Sequence, residues 1–129
     1  MSHEGCDILL VEDDVDVREA IAEGLEDVGY HVMATANGRE ALDYLKTAAG
    51  GLPGLILLDL MMPTMDGWEF QEQMAREPTC AGIPVVVLSA AGLADDKVAP
   101  LRAAGYLRKP LNLGQLREAA ERHCGPPRR

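Results

Sequence analysis

The chain has 129 residues, 47% of them hydrophobic and 26% charged, with a formal net charge of −9. That length supports one domain with a core of its own, and the composition excludes a disordered chain. The acidic balance argues against a nucleic-acid groove, which needs a basic patch, and no apolar run approaches the ~18 residues of a membrane span.

The first residues, Met1 to Gly5, carry no positively charged leader and no apolar stretch, so a cytoplasmic protein is expected. Cys6, Cys80 and Cys124 are far apart and lack metal-type spacing. They read as buried or idle thiols.

Cys6 to Val11 carries four consecutive aliphatic residues, Ile8 to Val11, and ends in Glu12-Asp13-Asp14. Such a run predicts a strand buried on both faces. Asp14 reads as an N-cap, Val17, Ile21, Leu25 and Val28 follow at helical spacing, and Gly29 stops the helix. Tyr30 to Ala36 predicts a second strand, Asn37-Gly38 a turn, and Ala41, Leu42 and Leu45 a second helix. Leu55 to Leu58 predicts a third buried strand that stops at Asp59, and Pro63, Asp66 and Gly67 shape the loop behind it. A helix from Phe70 to about Glu77 should end at Pro78.

Ile83 to Leu88, closed by Ser89, predicts a fourth strand, with Pro84 tolerated at its second position. Gly92 to Gly105 reads as a helix made short or irregular by Pro100. Tyr106 to Arg108 is a brief fifth strand before Lys109-Pro110. Leu113, Leu116 and Ala120 mark a last helix, and residues 125–129 a frayed tail. Alternation of this kind predicts an α/β fold: a doubly wound, five-stranded parallel sheet with helices on both faces. One domain fills residues 1–129, with its core from Cys6 to Cys124, and no output module is legible beyond it.

In such a sheet, chemistry gathers outside the carboxyl ends of the strands. Those ends carry Glu12 and Asp13, Asp59, Ser89 and Lys109. Three carboxylates brought within ~4 Å repel by about 4 kcal/mol per pair at an effective dielectric of ~20. Raised pKa values or a divalent cation relieve that repulsion, and hard oxygen ligands suit Mg²⁺. A cation beside Asp59 also favours an incoming phosphoryl group, and a carboxylate is a competent nucleophile toward phosphorus. Lys109 adds a positive charge and Ser89 a hydroxyl donor. These groups together predict a phosphoryl-accepting site.

These motifs resemble those of a response-regulator receiver domain, a (βα)5 flavodoxin-like fold, from Cys6 to Cys124. They are Val11 to Asp14, Asp59 to Gly67, Leu88-Ser89-Ala90 and Tyr106 to Pro110. The resemblance implies that Asp59 accepts a phosphoryl group from a histidine kinase, a phosphotransfer protein or a small donor such as acetyl phosphate. It implies Mg²⁺ held by Asp13, Asp59 and the Met61 carbonyl, with Glu12 assisting. Ser89 and Lys109 would hold phosphoryl oxygens, Ser89 and Tyr106 would form the switch, and the Lys109–Pro110 bond would be cis. A protein face would then change affinity for a downstream target, and the chain would not be a turnover enzyme. The interval from Ser89 to Lys109 is shorter than the family usually shows.

Two other readings exist. Asp14-Val15-Asp16-Val17, with Ser89, Lys109 and Asp95-Asp96, superficially fits a haloacid-dehalogenase-type phosphatase. That reading puts Asp14 in the helix start and leaves Asp59 idle. A pseudo-receiver that binds partners without phosphorylation would have no need of the full acidic set.

Overall fold

The computed structural model describes residues 7–47, 52–60, 67–89 and 103–125. Five parallel strands, β1 (Asp7–Val11), β2 (His31–Thr35), β3 (Leu55–Asp59), β4 (Val85–Ser89) and β5 (Gly105–Arg108), form one sheet in the order β2-β1-β3-β4-β5. Between and after them run α1 (Val15–Asp27), α2 (Gly38–Lys46), α3 (Gly67–Ala75) and α4 (Leu113–Cys124). The irregular helix expected around Pro100 lies outside the described residues.

The unbroken aliphatic runs are explained by two-sided burial. Leu9 and Val11 of β1, with Ile56 and Leu58 of β3, join the core under α2 and α3, where Ala41, Leu42, Leu45, Phe70 and Met74 meet them. Ile8 and Leu10, with Leu55 and Leu57, join the opposite core under α1 and α4, against Ile21, Leu25, Leu116 and Ala120. Side chains alternate along a strand, so a strand covered on both faces must be apolar at every position.

The elements differ from expectation mainly at their ends. Asn37 does not turn the chain into a loop. It caps α2, its side chain accepting from Glu40 N–H at 2.9 Å, while Glu40 accepts from Ala36 N–H at 3.0 Å. Helix α3 stops at Ala75, short of the expected Glu77. Strand β4 begins after Pro84, whose carbonyl accepts from Ile56 N–H at 3.0 Å, so the proline precedes the ladder instead of interrupting it. Gly29 has φ 109°, as a left-handed helix stop requires.

Cys80 is buried and free, as expected, but Cys124 is disulfide-bonded and so not idle. Folding brings the end of α4 against the start of β1, where Cys124 Sγ lies 4.0 Å from the Asp7 carbonyl. That proximity spans most of the chain length and leaves no trace in cysteine spacing.

Gly67 follows the loop after β3, and its amide donates to the Leu60 carbonyl at 2.9 Å. A Cβ there would stand 2.8 Å from Leu60 Cα and 3.2 Å from the Asp59 carbonyl, both unyielding backbone. Gly67→Ala should therefore lower stability to urea by about 1–3 kcal/mol. Gly82→Ala, where a Cβ meets nothing within 4 Å, should leave stability unchanged or raise it by up to about 1 kcal/mol.

Candidate functional site

The register of the sheet sets the tips of β1 and β3 side by side, with Val11 opposite Leu58 and Asp59 opposite Leu88. Glu12 follows β1 and is fully buried, and its N–H extends the ladder to the Thr35 carbonyl at 3.1 Å. Glu12 Oε2 accepts from Asp14 N–H at 3.2 Å, and its main-chain carbonyl accepts from Arg18 Nη1 at 3.0 Å. Asp13 is exposed, while Asp59, the last residue of β3, is 2% exposed. Carboxylate oxygens of Glu12, Asp13 and Asp59 all lie within 4.8 Å of one another. Lys109 follows β5 and places Nζ 3.4 Å from Glu12 Oε1 and 3.5 Å from Asp59 Oδ2. The Lys109–Pro110 bond is cis.

Burial pushes the Glu12 carboxyl up to about 7, and the neighbouring charge of Asp59 adds to the rise. The Asp14 amide and Lys109 oppose it without cancelling it. At Lys109, burial works against the charged form, but the charges of Asp59 and Glu12 outweigh it and hold the ammonium above its ordinary value. Lys109 is therefore cationic at neutral pH.

Glu12 Oε1 has no hydrogen-bond partner although it is buried. Its cationic neighbour among the described contacts is Lys109 Nζ, at 3.4 Å. When ionised, three carboxylates against one ammonium leave two negative charges uncompensated. An all-oxygen, over-negative cluster with one buried acceptor to spare fits a hard divalent cation, which Glu12, Asp13 and Asp59 would hold.

Folding thus gathers Glu12, Asp13, Asp59 and Lys109. The backbone of Ser89 ends β4 opposite Arg108, one step beyond the Asp59–Leu88 pair. Met61, and with it the loop of Pro63 and Asp66, lies outside the described residues. Tyr106 stands opposite Val87 on β5 and is 45% exposed. Asp14 caps α1 through Asp16 N–H and Val17 N–H at 3.0 and 3.2 Å, which places the phosphatase-like acids in a helix start. Asp95 and Asp96 of that reading lie outside the described residues. Arg18 and Thr35, which belong to none of the motifs, grip the main chain of Glu12. A cation in the first turn of a helix, where the macrodipole disfavours it, was the available signal for Arg18.

The raised Glu12 carboxyl has a signed consequence. Between its ordinary value of 4.5 and about 7, the folded chain keeps a proton that the unfolded chain has lost. Stability should therefore fall as pH rises through that window, by about 3 kcal/mol at most. Glu12→Gln should flatten this slope in urea titrations at pH 5 and pH 8. Proton and cation compete for the same carboxylate, so calorimetry should show tighter Mg²⁺ binding at pH 8 than at pH 6.

Residues 8–121 match the family model described as the response regulator receiver domain. The response regulator Rre1 of Synechocystis is 36% identical over 112 residues, 84% of this chain and 47% of that protein. A 14.6 kDa protein of Leptolyngbya boryana is 35% identical, covering 92% of this chain and 89% of its own length. The chain spans about half the length of Rre1, and likewise 46% of the Mycolicibacterium vanbaalenii regulator MprA, to which it is 40% identical. Among solved structures, the receiver domain of the Pseudomonas aeruginosa sensor histidine kinase PA1611, which has a magnesium ion in its active-site cleft, superposes with a TM-score of 0.82. It is 26% identical and covers 93% of this chain and 98% of that one. The Vibrio cholerae chemotaxis protein CheY4 gives 0.81 at 28% identity, over 93% and 99% of the two chains. With its five-stranded parallel sheet and its acids gathered at the strand tips, this chain belongs to the response regulator receiver domain family.

Proposed function

We propose that Asp59 is the phosphoacceptor of a two-component signalling pathway. One observation supports this above the others: a carboxylate held nearly dry at a strand tip, with Glu12 and Asp13 within 4.8 Å and Lys109 Nζ at 3.5 Å. An Asp59 oxygen attacks phosphorus, the bond from phosphorus to the donor's nitrogen or oxygen breaks, and an aspartyl phosphate remains. The donor is a histidine kinase, a phosphotransfer protein or acetyl phosphate.

Mg²⁺, when bound, neutralises charge on the phosphoryl oxygens. Glu12, Asp13 and Asp59 would supply side-chain ligands for it, with the Met61 carbonyl as the implied main-chain ligand. Lys109 exchanges part of its contact with Asp59 for a phosphoryl oxygen, and the Ser89 hydroxyl donates to another. The added group carries about −1.5 to −2 of charge. Ser89 moves toward that charge, Tyr106 leaves its exposed setting for the space vacated, and the surface at β5 changes affinity for a downstream protein. The chain acts as a signalling domain that is modified stoichiometrically. Its acidic balance leaves nucleic-acid contact to other partners.

Intact-mass measurement after incubation with acetyl phosphate and Mg²⁺ should show one added phosphoryl group, absent in Asp59→Asn and absent with EDTA. An unaltered wild-type mass would leave a phosphorylation-independent interaction module as the reading. Lys109→Ala should still bind Mg²⁺ but capture the phosphoryl group roughly 100-fold more slowly. Beryllofluoride, a phosphoryl mimic, should shift the Tyr106 ring resonances in wild type and leave them in place in Asp59→Asn.

A further inference from the structure

We infer that Arg18 is a positioning residue for the cation site, acting through the peptide group that joins Glu12 to Asp13. This rests on the reading of the acidic cluster as a Mg²⁺ site. Arg18 lies in the first turn of α1, its own N–H bonded to the Asp14 carbonyl at 2.8 Å. A cation there faces the positive end of the helix dipole and costs stability unless its side chain is used elsewhere. The guanidinium reaches back over the turn and donates from Nη1 to the Glu12 carbonyl at 3.0 Å. Among the described residues of α1 it is the single base, beside Asp16, Glu19, Glu23, Glu26 and Asp27.

The tethered carbonyl matters because the peptide is planar. Fixing the Glu12 C=O fixes ψ of Glu12 and φ of Asp13, and with them the directions in which both side chains leave the main chain. Glu12 has other anchors: burial, the Thr35 carbonyl and the Asp14 amide. Asp13 is exposed, so burial cannot orient it. Its aim toward Asp59 is inherited from the peptide that Arg18 holds. Arg18 touches no carboxylate of the cluster in these contacts, and its effect is geometric: it lowers the disorder that Asp13 must lose when a cation binds.

The test is calorimetric titration of MgCl₂ into wild type, Arg18→Met and Arg18→Lys, with thermal melts of each and hydrogen exchange at the Asp14 amide. Met keeps the apolar stem and removes the donor, while Lys restores a cationic donor. Arg18→Met should bind Mg²⁺ about 10-fold more weakly, with faster exchange at Asp14 and a folded protein at the titration temperature. Arg18→Lys should recover a large part of the loss. An Arg18→Met protein that binds Mg²⁺ as wild type does would overturn the inference. So would Met and Lys variants impaired equally and in step with their melting temperatures, since that pattern marks a purely structural residue. Wild type that binds no Mg²⁺ would overturn the cation-site reading itself, and the role of Arg18 with it.

Discussion

The constraint on which the molecule turns is the burial of two carboxylates, Glu12 and Asp59, against a single ammonium. Water is nearly excluded from both acids, so neither charge is screened by solvent. Lys109 answers part of that charge from 3.4 and 3.5 Å, and a proton on Glu12 answers part of the rest. The remainder is what makes the cluster receptive to a cation. A site built for stability alone would have paired each acid or replaced it with an apolar side chain.

The fold tolerates that arrangement because the sheet beneath it is covered on both faces. The aliphatic runs of β1 and β3 are dry on both faces, and each fully buried Val, Leu or Ile contributes roughly 1.5–3 kcal/mol of transfer free energy. Parallel pairing then does the positioning. All five strands end on one edge, and the ladder continues past β1 through Glu12 N–H to the Thr35 carbonyl. The acids are therefore carried by the strand tips, and the Lys109 ammonium is brought to them by its place directly after β5. Acids fixed at strand tips beside a lysine ammonium suit the phosphoacceptor role proposed for Asp59.

Much of this was legible in the chain. Runs such as Ile8 to Val11 and Leu55 to Leu58, short and bounded by turn residues, read as strands dry on both sides, and each ends at an acid, so parallel topology brings Glu12, Asp13 and Asp59 to one edge. Ends of elements were less legible. Asn37-Gly38 reads as a turn until Glu40 is seen to close a cap with it, and Pro84 reads as strand until its carbonyl is seen to receive Ile56 ahead of the ladder. The disulfide at Cys124 and the reach of Arg18 to Glu12 depend on where a side chain lies after folding.

The amino-acid sequence by itself determined the period of burial, the order of strands and helices, and the kinds of group at each strand tip. Those properties are local: hydrophobic pattern, caps and glycines act over a few residues. Only the tertiary structure decided that Glu12 keeps its proton up to about 7 while Lys109 stays charged, and that the buried Glu12 Oε1 meets the Lys109 ammonium at 3.4 Å. Desolvation and Coulomb energy depend on distances between groups far apart in the chain, and those distances exist once the strands have paired.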